Sequence, residues 1–166
     1  MRAGPSQEEI RRHNLGVLLR SVHVHGAISR AELTANLGLN RSTIGALTAE
    51  LAAAGLVTEE VPRDRGRAGR PSLVVRPASN QVYVLAFTIE VDRVTAARVG
   101  LGGLVLDRRE AAREPGVVPP AEVVAPLAAF AHEMATAAPP GARHIGTGAA
   151  VATEDRGAGG LDKPGA

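Results

Sequence analysis

The chain has 166 residues, no cysteine, and a formal charge of +2 from 19 basic and 17 acidic side chains. Without thiols there is no disulfide framework and no thiolate zinc site, and without a long uncharged apolar run there is no helical membrane span. One Tyr, two Phe and no Trp argue against recognition of single strands by base stacking.

The small net charge hides an asymmetry. Residues 1–80 carry eleven arginines against seven acids, 11 − 7 = +4, whereas residues 81–166 carry eight bases against ten acids, 8 − 10 = −2. The start, MRAGPSQEEIRRH, has no apolar signal core, so the expected compartment is the cytoplasm.

In chain order, Ser6 with Glu9 forms a capping box that opens a long helix with the stripe Leu15, Leu18, Leu19, Val22. His23 and His25 fall at its end, where positive charge suits the helix dipole. Ser29 with Glu32 forms a second box before AELTANLG, a short helix with Leu33 and Leu37 one turn apart. Gly38 stops it, and Asn40 caps a third helix in which Ile44, Leu47, Leu51 and Ala54 recur at helical spacing. The opposite face carries Ser42, Gly45, Ala46 and Ala49, flanked by Arg41. That face is small and flat, unlike a charged solvated surface. The same helix would suit the outside of a generic helical bundle, but two capped helices joined through Gly38-Leu39 match a helix-turn-helix.

After Gly55 the period changes. LVTEEV and SLVVR read as antiparallel mates, and between them PRDRGRAGRP places Arg63, Arg65, Arg67 and Arg70 among glycines. Three helices followed by such a hairpin make a winged helix, and an arginine loop at its tip suits phosphates or a narrow minor groove. The alternative is a solvated loop without a partner. Gly69-Arg70-Pro71 is also similar to the minor-groove hook of architectural proteins.

Pro77-Ala78-Ser79-Asn80 reads as a boundary. Three β-rich runs follow, VYVLAFTIEV, RVTAARVG and LVLDRRE, the last two joined by a tight turn at Gly102-Gly103. AEVVAPLAAFAHEMATAA predicts a helix that packs Val123, Val124, Leu127, Phe130, Ala131 and Met134 on the sheet, kinked or trimmed at its start by Pro126. HIGTGAAV predicts another buried strand, and the glycine-rich, patternless residues 152–166 are expected to be disordered. His132 and His144 are lone and read as structural or surface side chains.

RRHNLGVLLRSVHVHGAISRAELTANLGLNRSTIGALTAELAAAGLV, the wing ending GRP, the hairpin VLAFTIEVDRVTAARVGLGGLVLD and HIGTGAAV together resemble the amino-terminal part of a ROK-family transcriptional regulator of the xylose-repressor-like kind. The resemblance covers most of residues 10 to 151. It implies an α+β chain with a winged helix-turn-helix over 6–78 and a truncated actin-like, sugar-kinase-type lobe over 79–151.

Two departures qualify it. Sugar kinases of that family carry an acidic-glycine-glycine-threonine turn for ATP phosphate, and here Thr88-Ile89-Glu90-Val91-Asp92 stands in its place. Without glycine that backbone cannot close around a phosphate, and Glu90 and Asp92 would repel one. The two carboxylates share a strand face, but no metal ligand or base joins them into an acid/base pair. Regulators of the family also continue into a sugar-binding cleft, a histidine-cysteine zinc site and a dimer surface, none of which is present in these residues. The sequence therefore resembles a fragment, a truncated gene or a frameshifted product.

The expected function is sequence-specific binding of double-stranded DNA in transcriptional regulation, repression of carbohydrate-utilisation genes being what the resemblance implies. The expected DNA-binding residues are Ser29, Arg30, Asn40, Arg41, Ser42, Thr43, Gly45, Ala46, Arg63, Arg65, Arg67 and Arg70. Related regulators often place serine and a basic residue where this chain has Gly45 and Ala46, which leaves Asn40, Arg41, Ser42 and Thr43 as the main readers. No catalytic residue, metal or cofactor is expected, nor a sugar effector, since the cleft is missing. A homodimer would read two half-sites. The alternatives are a degenerate ROK sugar-kinase remnant without activity and a protein-interaction module, the latter if the helix around Leu127 and Phe130 is left partly uncovered.

Overall fold

The computed structural model describes residues 4–62, 72–116 and 119–152. In the first part, helices α1 (Gln7–His25), α2 (Arg30–Leu37) and α3 (Arg41–Ala53) pack around a small sheet of β1 (Ile28–Ser29), β2 (Val57–Glu60) and β3 (Val74–Pro77). Its strand order is β1-β3-β2, antiparallel throughout, with Glu60 opposite Val74 and Val57 opposite Pro77. The capping boxes form as the sequence predicts. Ser6 accepts from the Glu9 amide and Ser29 from the Glu32 amide, while each glutamate accepts in return from its serine's backbone N–H. Gly38, at φ 63°, ends α2 in the left-handed region that glycine enters without strain.

These helices form because their apolar residues return to one side every three or four positions, and burial of that side stabilises them. Leu18 and Val22 of α1, Leu33 of α2, and Ile44, Leu47 and Leu51 of α3 meet Val57 and Val75 in one buried cluster. Each such side chain contributes about 1.5–3 kcal/mol on leaving water. Ala54, expected on this inner face, instead follows the end of α3 as an exposed cap. Thr48 takes a buried place, its hydroxyl donating to the Gly45 carbonyl at 3.1 Å. Strand β1 was not expected; two residues are too few to show a period, and only pairing with β3 defines it.

The second part is a four-stranded sheet of order β6-β5-β4-β7, built from β4 (Val82–Ile89), β5 (Arg93–Gly100), β6 (Val105–Ala112) and β7 (Arg143–Val151). β4, β5 and β6 form an antiparallel meander and β7 runs parallel to β4 after the crossover through α4 (Pro120–Thr136). Alternate residues Tyr83 and Leu85 of β4 and Val94 and Ala96 of β5 share one face and pack under Leu127 and Met134 of α4.

Several expectations are corrected. Pro126 lies inside α4 without trimming it; the helix begins at Pro120, where a missing N–H costs nothing. Leu127 is buried and Phe130 is partly buried against the second cluster, so the sheet covers the inner side of this stretch. Val124 faces solvent. β7 is not buried: α4 lies mainly over β5, which leaves this edge strand open with Ile145 at 65% and Val151 at 61% exposure. The wing arginines Arg63, Arg65, Arg67 and Arg70, and the tail from 153 onward, lie outside the described residues. Among the described residues no helix is long and apolar enough to cross a membrane.

Candidate nucleic-acid interface

Helix α3 presents the surface in question. Asn40 stands at its N-cap with φ −71° and ψ 160°, and its Oδ1 accepts from the Thr43 amide at 2.8 Å and the Ser42 hydroxyl at 2.7 Å. The oxygen is therefore committed to the helix, and the side-chain N–H2 remains as donor. Arg41 is exposed and makes no hydrogen bond or ion pair among the described residues. Ser42, Ala46 and Ala49 are exposed along the outer side, opposite the buried Ile44, Leu47, Thr48 and Leu51. This gives a low ridge with a guanidinium, an amide and a hydroxyl at its positive end.

The predicted site residues do not all converge on it. Arg30 turns away, donating through Nε and Nη2 to the two carboxylate oxygens of Glu59 at 2.6 and 2.5 Å, with both side chains less than a third exposed. Gly45 is half-buried, and a Cβ there would lie 3.6 Å from Arg30 Nη1. Arg30 and Gly45 thus belong to the seam between α2, α3 and β2. Ser29 is occupied by its capping box and by pairing of β1 with β3. Thr43 opens on a different side, into a surface groove of about 390 Å³ shared with Ile10, Arg11 and Asn14 of α1, and Ala46 stands where that groove meets the outer side. The contribution of α1 was missed, although Gln7, Arg11 and Asn14 form a polar stripe at helical spacing. Arg11 is also ion-paired with Glu50 of α3, which ties the two helices together across this groove.

Glu32 is held below its usual 4.5 first by the Ser29 backbone N–H and then by the Ser29 hydroxyl. A depressed carboxyl stabilises the fold above the unfolded-state value and loses that contribution as pH falls through the folded one. Glu32→Gln is therefore expected to lower the thermal midpoint at neutral pH, with the two proteins converging only as the pH falls below the usual carboxylate range and through the depressed folded-state value. A constant gap in melting curves down to acid pH would mean that the carboxylate charge has no part in the cap.

In the second part, Glu90 and Asp92 both face Arg93, at 3.5 and 2.9 Å. Arg93 holds the Asp92 carboxyl below its usual value, chiefly by hydrogen bonding. They are an exposed ion-pair cluster at a strand turn. Among the described residues no three His, Cys, Asp or Glu side chains gather in a way that could hold a metal.

No family model and no curated protein matches this sequence. A solved structure does match: the crystal structure of a ROK family transcriptional regulator, a homolog of the E. coli MLC protein, over 86% of this chain with a TM-score of 0.50 and 23% identity. The fold is that of the amino-terminal part of a ROK-family regulator. This chain spans about a third of that protein's length, 35%. The likeness extends over both the helical part and most of the four-stranded sheet, since neither alone would fill 86% of the chain.

Proposed function

We propose that the protein binds double-stranded DNA in a sequence-dependent manner as a transcriptional regulator, with a reading module over 6–78 and a ROK-like lobe over 79–151. The observation that carries this is the outer side of α3: small residues, a capped positive end, and Arg41 without a partner among the described residues. Small side chains let the helix sit deep in a major groove, where an arginine can span the O6 and N7 of guanine. Arg63, Arg65, Arg67 and Arg70 lie in the sequence between β2 and β3, outside the described residues, and in this reading neutralise phosphate. Asn40 and Ser42 complete the readers, and two copies together read two half-sites.

Arg41→Ala is expected to weaken binding to a preferred duplex on the order of tenfold. Fluorescence anisotropy on preferred and scrambled duplexes checks this, and an equal loss on both would make Arg41 a phosphate contact. Alanine at each wing arginine should reduce the slope of log affinity against log salt by roughly one. No enzymatic role is proposed: the Thr88–Asp92 turn lacks glycine, and its carboxylates are turned to Arg93. Nucleotide binding seen by calorimetry would reverse that reading in favour of a kinase remnant.

A further inference from the structure

The turn between β5 and β6 touches the helical part of the molecule. It is closed by the Gly100 amide donating to the Leu104 carbonyl at 2.8 Å and the Gly103 amide donating to the Gly100 carbonyl at 3.1 Å. That leaves the Gly102 amide pointing outward, and it donates to Nδ1 of His23 at the end of α1 at 2.9 Å, 79 residues away in sequence. His23 therefore serves as an acceptor, in the tautomer with its proton on Nε2.

The same turn leaves no room against the connection from β3 to β4. A Cβ at Gly102 would stand 2.8 Å from Pro77 Cγ, and one at Gly100 only 2.0 Å from the Ser79 carbonyl oxygen. That connection is itself fastened: Pro77 pairs with Val57, and the Ala78 amide donates to the Leu56 carbonyl at 2.9 Å. Gly103 differs. Its φ of 76° is as strained for a side chain as the 85° of Gly102, yet nothing lies within 4 Å of its Cβ position.

Modules joined by a short link move relative to each other by default unless something packs between them. Here the two buried clusters share no residue, and a turn whose Gly100 and Gly102 carry no side chain is wedged against the link through those two positions and hydrogen-bonded to α1. We infer that Gly100–Gly103 is a joint that holds the helix-turn-helix in one orientation on the four-stranded sheet. A displacement in the meander would then reach α1 directly, and α1 packs on α3. The joint is a mechanical property of the chain; only its use in regulation rests on the DNA-binding reading.

Backbone ¹⁵N relaxation on the whole chain tests it. In the wild-type protein, α1–α3 and β4–β6 should report one shared rotational correlation time. Gly102→Ala should give the two parts separate, shorter times, whereas Gly103→Ala, with the same backbone strain and no neighbour, should leave them shared. His23→Ala, an exposed change that leaves both clusters intact, should speed hydrogen exchange of the Gly102 amide on the order of fivefold without changing that of Gly103. Independent tumbling in the wild type, indistinguishable Gly102→Ala and Gly103→Ala variants, or an unchanged Gly102 amide in His23→Ala would each overturn the joint. A wild-type protein that ignores every duplex would remove the proposed function while these readouts stand.

Discussion

Ile44→Ala is expected to lower the unfolding free energy of the helical part by about 3 kcal/mol. Ile44 is fully buried, and it lies on the one face of α3 that meets Leu18 and Val22 of α1, Leu33 of α2 and Val75 of β3. Removing its branched end leaves a cavity in a cluster to which α1, α2 and β3 all contribute, so the site cannot collapse by moving one of them. Ile44→Val, which removes a single methyl, should cost about 1 kcal/mol. A loss of 3 kcal/mol is a large share of the stability of a small module. Denaturant titration followed by far-ultraviolet circular dichroism measures both variants. Because the outer ridge of α3 is untouched, DNA affinity should fall only where the folded fraction falls. A cost below about 1 kcal/mol for the alanine variant would show that α3 is not fastened as described.

The second large effect concerns Arg30. Its bidentate pair with Glu59 is partly buried, and removal of either partner strands the other charge where water reaches it poorly. Arg30→Ala and Glu59→Ala are each expected to cost roughly 2 kcal/mol, with the double variant well short of their sum. Arg30→Lys should recover only part, since an ammonium cannot form the paired contact. The cycle separates two roles for this residue. If Arg30 contacted DNA, its alanine variant would keep its stability and lose about one unit of salt slope; the pair with Glu59 predicts the reverse.

The pattern of apolar residues and caps made the three helices, the β2-β3 hairpin, the meander and α4 legible, because each has a local cause. Ser6, Ser29 and Asn40 announce helix starts through hydrogen bonds to amides three residues on, and Gly38 announces a stop. Such signals depend on neighbours in sequence, so they survive without knowledge of the fold. Charge had no such locality. Arg30 and Arg41 look alike in the sequence, both near the start of a helix in the basic half.

What the sequence determined by itself was therefore the order and type of every element but the two-residue β1, and the small outer face of α3. Tertiary structure decided which polar groups remain available: it gave Arg30 a partner 29 residues away and left Arg41 without one among the described residues. It also decided that β7 is an open edge, and that a glycine turn meets His23. The physical reason is range. Caps and periodicities act within a turn or two of chain, whereas pairing and exclusion from water depend on which distant surfaces the folded chain brings together.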